Sequence, residues 1–240
     1  MDHLKRKIYK NLIISCDGGA ASGKTTGAKL IAKKYNLKFL SSGMLYRYVS
    51  YLILKKKPKN QISFLKKEFK KINLNKLNKL ELNSQIISDH TSKIAKIKKI
   101  RNILKIFQVS FSKKYKKCII EGRDISTEIL PFSNVKFFFI CDLKNASKRR
   151  FLDLKKKNHK VKLSEVKKSI KLRNMRDKSR KHSPLLKHRD ALVIDTGKLS
   201  IPAMIKKMSL IIDKKIKKKI WQLKILLKIN PPLTKSLRSY

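Results

Sequence analysis

Residues 18 to 25 read Gly18-Gly19-Ala20-Ala21-Ser22-Gly23-Lys24-Thr25, a match to G-x-x-x-x-G-K-[ST] at every defined position. Such a loop works between a buried strand and a helix, because its backbone N–H groups and the positive helix end must point at one phosphate chain. The flanks supply both. Leu12-Ile13-Ile14-Ser15-Cys16 is a short apolar run suited to a buried parallel strand, and Thr26 to Tyr35 reads as a helix with Ala28, Ile31 and Ala32 on its apolar face. Gly18 through Thr26 therefore form the expected nucleoside triphosphate site. Lys24 supplies a point charge near the transferred group, and Thr25 holds Mg2+ through its hydroxyl.

Further strand-like runs follow at Lys38-Phe39-Leu40-Ser41, Cys118-Ile119-Ile120-Glu121, Val135 to Cys141 and Ala191-Leu192-Val193-Ile194-Asp195, with helical stretches between them. This alternation predicts an α/β fold with a parallel sheet and right-handed crossovers. Ligands in such sheets gather beyond the carboxyl ends of the strands. There the chain carries Asp17-Gly18, Ser41-Ser42-Gly43, Glu121-Gly122-Arg123-Asp124, Asp142 and Asp195-Thr196-Gly197. Between Lys55 and Asn83 the sequence is rich in lysine and asparagine, with a modest stripe at Ile62, Leu65 and Phe69, and reads as an inserted element rather than core. A second polar stretch, Asp153 to Leu163, precedes a helix with Val166, Ile170 and Arg173 toward the cleft; polar inserts over a ligand cleft often act as lids, and two ordinary surface excursions are the alternative reading.

The 240 residues suffice for one domain with a full core. No run of about 18 apolar residues is present, and the first ten residues lack the apolar stretch of a signal peptide. The expectation is a soluble cytoplasmic protein without a transmembrane segment. Cys16, Cys118 and Cys141 each sit in an apolar run with no C-x-x-C spacing, which predicts buried, inert thiols. Lys and Arg total 63 against 15 Asp and Glu, for a net charge of +48. The lysines are spread along nearly the whole chain, as on a solvated surface; polyanion affinity is the alternative.

Against that lysine background the arginines stand out. Arg173, Arg176, Asp177 and Arg180 recur at three- and four-residue spacing, which gathers three guanidinium groups around a carboxylate on one helix face. Arginine binds phosphate through a planar fork that lysine lacks. Arg47, Arg101, Arg123, Arg149 and Arg150 each lie near a strand end or cleft helix.

The phosphate loop with Asp17, Ser42-Gly43-Met44-Leu45-Tyr46-Arg47, Glu121-Gly122-Arg123-Asp124, Arg173-x-x-Arg176-Asp177-x-x-Arg180 and Ala191 to Thr196 together resemble bacterial cytidylate kinase, from about Leu12 to about Asp213. The resemblance implies a P-loop NTPase three-layer fold with a parallel sheet, a small monophosphate-binding insert at about residues 48–100 and a lid at about 149–180. That unit would span residues 1–213, with a basic extension at 214–240. It implies transfer of the terminal phosphoryl of ATP to CMP or dCMP, with ATP and Mg2+ as cofactors; a monomer is expected. It also implies that Ser42 and Arg47 lie on the monophosphate side and that Ser92 and Arg101 read the cytosine edge. By the same likeness Arg123 holds the acceptor phosphate and Asp124 lies near the base. Arg173, Asp177 and Arg180 would hold phosphate, sugar and base, Arg149, Arg150 and Arg176 would form a lid-side clamp, and Glu121 would assist Thr25 at Mg2+.

The chain departs from this family at Gly19 and Ala21, where Pro and Gly are usual, at Thr25, where Gly is often found, and at Glu121, where Asp is usual. The stretch between Arg47 and Ser92 is short, as if part of a strand hairpin were lost. In the tail, Ile212, Ile216, Ile220, Leu223 and Leu227 fall at helical spacing with lysines mostly off the stripe, and Pro231-Pro232 would stop the helix. Packing on the core is the favoured reading, with membrane or nucleic-acid contact as the alternative. The charge and the tail together leave a nucleic-acid-binding P-loop NTPase as the second function class, and a monophosphate kinase with altered base choice as a third.

Overall fold

The apolar runs become strands β1 (Ile13–Gly18), β2 (Lys38–Ser41), β3 (Cys118–Gly122), β4 (Val135–Ile140) and β5 (Leu192–Asp195). The helices are α1 (Lys24–Tyr35), α2 (Ser42–Lys56), α3 (Gln61–Lys70), α4 (Leu74–Asn78), α5 (Gln85–Ile94), α6 (Lys98–Lys114), α7 (Leu143–Lys155), α8 (Leu163–Lys178) and α9 (Ile201–Ile229). The computed structural model describes residues 11–82, 84–156 and 161–229. The strands form one five-stranded sheet in the order β2-β3-β1-β4-β5, parallel throughout. From β1 the chain runs out to β2, returns to β3 beside β1, and then crosses to β4 on the other side. That reversal puts the carboxyl end of β1 at the crevice where ligands of such sheets bind.

Alternation along the strands splits the interior into two layers. Ile14, Cys16, Ile119, Val135, Phe137 and Phe139 face α1 and α9, meeting Ala28, Ile31, Met204, Met208, Ile212 and Ile216. Cys118 and Ile120 face the opposite way, against Leu45 and Val49 of α2, Leu65 and Phe69 of α3, and Ile100 and Leu104 of α6. The result is a three-layer α/β arrangement, as expected.

The segment from Lys55 to Asn83 differs from its reading as an insert outside the core. Leu65 and Phe69 are buried in the same cluster as the sheet residues. The asparagines are helix punctuation: the Asn60 side chain accepts the Ser63 N–H at 3.0 Å, and Asn73 accepts those of Asn75 and Lys76. Among the described residues between 48 and 100 there is no strand. Cys16 and Cys118 are buried, whereas Cys141 lies just past β4 and is half-buried. Helix α9 runs unbroken through residue 213; Ile216 is buried and Ile220 packs against the same cluster. The side chains of Leu223 and Leu227, and Pro231-Pro232, lie outside the described residues. No described helix is long and apolar enough to cross a membrane.

Candidate active site

The phosphate loop is shaped by contacts that only glycine permits. Gly18 has φ 156°, and a Cβ there would stand 2.4 Å from the Phe139 carbonyl oxygen. Gly23 caps α1 at φ 77°, in the left-handed region. Ser22 is buried and its Oγ has no hydrogen-bond partner among the described residues, while its carbonyl accepts the Thr196 hydroxyl at 3.0 Å. Thr25 and Thr26 open α1 and are exposed. Behind the loop, Asp17 accepts the Ile125 N–H at 2.7 Å and both the N–H and hydroxyl of Ser126, at 2.7 and 2.5 Å. Burial pushes Asp17 up to about 6 against the pull of these bonds.

Lys24 donates to the Gly19 carbonyl at 3.0 Å, and its Nζ lies 3.9 Å from Glu121 Oε2. Burial, reinforced by Arg123 and opposed by Glu121, lowers its pKa to about 7. Glu121, buried at the end of β3, also accepts the hydroxyl of Ser41, which in turn accepts the Met44 N–H at 3.2 Å and so caps α2. Ser42 is buried against Gly122.

Cations crowd around this point. Arg123 donates through Nε to Asp177 at 2.7 Å. Arg173 is pulled down to about 9, first by burial and then by Arg123, with Arg47 and Arg150 adding to it. Arg47 is likewise lowered by burial, then by Arg150 and Arg123. Burial alone would raise Asp177, but Arg123, Arg173 and Arg180 outweigh it and hold the carboxyl below the usual range. Lys24 is thus repelled by Arg123 and Arg173, and Arg47 and half-buried Arg150 join the same group through Arg123 and Arg173, with Glu121 and Asp177 as carboxylates among them.

Beyond this cluster, on the insert side, Arg101 pairs with Asp124, donates to the Ala95 carbonyl at 3.0 Å, and lies over the Tyr46 ring at 5.7 Å. Arg180 sits 3.7 Å from Asp177; burial lowers its pKa, and its Nε and Nη2 are buried with no hydrogen-bond partner among the described residues. Ser92 is half-buried and donates to the Ser88 carbonyl of its own helix.

The resemblance assigns Arg149, Arg150 and Arg176 to a lid-side clamp. Arg149 donates to the Thr196 hydroxyl at 3.0 Å and the Thr196 carbonyl at 2.6 Å, tying α7 to the end of β5. Arg176 is exposed on α8. Helices α7 and α8 meet the loop directly: Ala20 packs with Val166 and Ile170, flanked by Ala21, Leu143, Phe151 and Leu154. Sequence reasoning placed Thr196 at a strand end without giving it a role and passed over Asn174, whose Oδ1 accepts the Ala20 N–H at 2.7 Å. The available signal was an asparagine inside a helix, where its side chain competes for backbone groups and needs a reason to be present.

The cytidylate kinase family profile matches residues 14–214. A cytidylate kinase of Fusobacterium nucleatum is 36% identical over 223 residues, covering 87% of this chain and 98% of that protein. One of Rickettsia conorii is 36% identical over 223 residues, covering 90% and 100%. Among solved structures, an uncharacterized protein from Eubacterium ventriosum superposes with a TM-score of 0.51 at 18% identity, over 85% of this chain and 99% of that one, and so shares the fold. With the phosphate loop, the arginine cluster and this similarity over nearly its whole described length, the chain belongs to the cytidylate kinase family.

Proposed function

We propose that the protein transfers the terminal phosphoryl group of ATP to CMP or dCMP, giving ADP and CDP or dCDP, and acts in the cytoplasm. The observation that carries this reading is the convergence of Lys24, Arg47, Arg123, Arg150 and Arg173 beside the phosphate loop. Cations buried this close together repel unless anions lie between them, and two nucleotides brought phosphate to phosphate are such anions. The acceptor phosphate oxygen attacks the γ-phosphorus as the bond to the β–γ bridging oxygen breaks. Lys24 and Arg123 then neutralise charge on the migrating group, at low dielectric and without reorganisation.

The loop fits a triphosphate: Gly18 and Gly23 hold it open, and the unpartnered Ser22 hydroxyl is a donor to spare. The Thr25 hydroxyl and the Glu121 carboxylate are the hard oxygen donors that would hold Mg2+, which would supply neutralisation of phosphate charge. Ser42, Arg47 and Arg173 take the acceptor phosphate, Asp177 the sugar hydroxyl, and Arg101, Asp124, Arg180 and Ser92 the cytosine. Arg149 and Arg176 act less directly, the first by fixing the Thr196 turn against the loop. In the same reading, residues 1–213 form the kinase with its insert at 48–100 and its lid at 149–180. The family match does not favour a nucleic-acid-tracking NTPase.

A coupled ADP-release assay with CMP, dCMP, UMP and AMP as acceptors tests the proposal. Turnover with CMP or dCMP well above UMP and AMP is expected. Turnover without any acceptor, or greatest with AMP, would overturn it.

A further inference from the structure

Asn174 projects from α8 onto the phosphate loop. Its Oδ1 accepts the Ala20 N–H at 2.7 Å, and its amide atoms lie 3.1–3.4 Å from where a Cβ on Gly19 would be. Ala20 N–H is one of the loop amides available to a bound phosphate chain. One N–H cannot point well at two acceptors in different directions, so Asn174 and a phosphate oxygen compete for it. The same junction holds the apolar contact of Ala20 with Val166 and Ile170, which keeps α8 against the loop. Arg173 and Asp177, neighbours of Asn174 on that helix, face Arg123 and Lys24.

We propose that Asn174 is a positioning residue that competes with the nucleotide triphosphate for the Ala20 N–H, linking occupancy of the loop to the placement of the lid helix and its arginines. This rests on the reading above only in that the loop takes a nucleoside triphosphate. Binding of the triphosphate breaks the Asn174 bond, and α8 is then held over the loop by its apolar contacts and by the bond between Asp177 and Arg123.

Calorimetric titration of the full chain with the β,γ-imido analogue of ATP, without acceptor, tests this in wild type, Asn174→Ala and Asn174→Asp. Alanine is the better helix former, so the first variant retains α8. Removing the competing acceptor is expected to tighten analogue binding by about two- to tenfold, the worth of one hydrogen bond. Aspartate binds the same N–H through a charge-assisted bond and repels phosphate, and is expected to weaken binding by at least as much. Ligand-free melting temperatures should stay near wild type. Alanine and aspartate shifting affinity in the same direction, or alanine leaving it unchanged, would overturn the proposal. Wild-type protein that fails to bind the analogue would instead sink the phosphate-loop reading itself.

Discussion

At single residues, the site works through burial. Lys24 is brought down to about 7 by desolvation, so an approaching triphosphate should restore its charge. Its free-state pKa is depressed and its bound-state pKa is higher, so binding takes up a proton above about pH 7 and affinity declines as pH rises beyond that point. Calorimetry of the imido analogue in buffers of different ionisation heat should register this uptake, and Lys24→Met should abolish it. The same substitution should leave a folded protein that has lost about 3–4 kcal/mol of transition-state stabilisation, read as kcat in the CMP assay beside an unchanged melting curve. Asp177 lies among Arg123, Arg173 and Arg180, which together hold its carboxyl below the usual range. Asp177→Ala should therefore cost about 1.5–3 kcal/mol in kcat/KM for CMP, the range for a charged hydrogen bond, while affinity for the ATP analogue measured alone stays close to wild type. Equal loss on both sides would remove Asp177 from the acceptor pocket.

At the level of elements, the helix past the last strand does more than decorate the sheet. Helix α9 spans the proposed kinase boundary, with Ile212 and Ile216 buried against β1, β4 and α1. A chain ended after Asp213 loses Ile216 and the Ile220 contact, and should be destabilised by roughly 2–4 kcal/mol, given about 1.5–3 kcal/mol for each fully buried large side chain. Thermal melting checks this; an unchanged transition would mean that this part of α9 adds nothing to the core. The pair α7 and α8 is attached differently. It meets the loop through a small apolar patch at Ala20, through the Asn174 bond to Ala20 and through Arg149 on Thr196, with Asp177 bonded to Arg123; in the proposed reading this pair is the lid.

For the molecule as a whole, the net charge of +48 surrounds a site that binds polyanions. Electrostatic steering predicts that kcat/KM for CMP at subsaturating concentration falls as salt is raised from low ionic strength, while kcat, set inside the screened cleft, changes little. Equal sensitivity of both would place the effect on the chemistry instead. The phosphate loop, the five strands and the arginine set were legible in the sequence, because each depends on local pattern: a fixed glycine spacing, apolar runs of strand length, and three- and four-residue helical periodicity. The helical structure of residues 61–94 was poorly legible, because its asparagines read as loop while serving as N-caps, and Leu65 and Phe69 become core only once α2 and α6 are beside them. The roles of Asn174 and Thr196 were not legible at all. Each bonds to a loop residue 154 or 174 positions away, and no local pattern carries a contact across that distance. The sequence by itself determined which chemistry the chain can hold and which segments become strand and helix. Only the tertiary structure decided which arginines face one another, which are committed to backbone carbonyls, and which side chain rests in the loop, since those depend on how helices pack over the sheet and not on spacing along the chain.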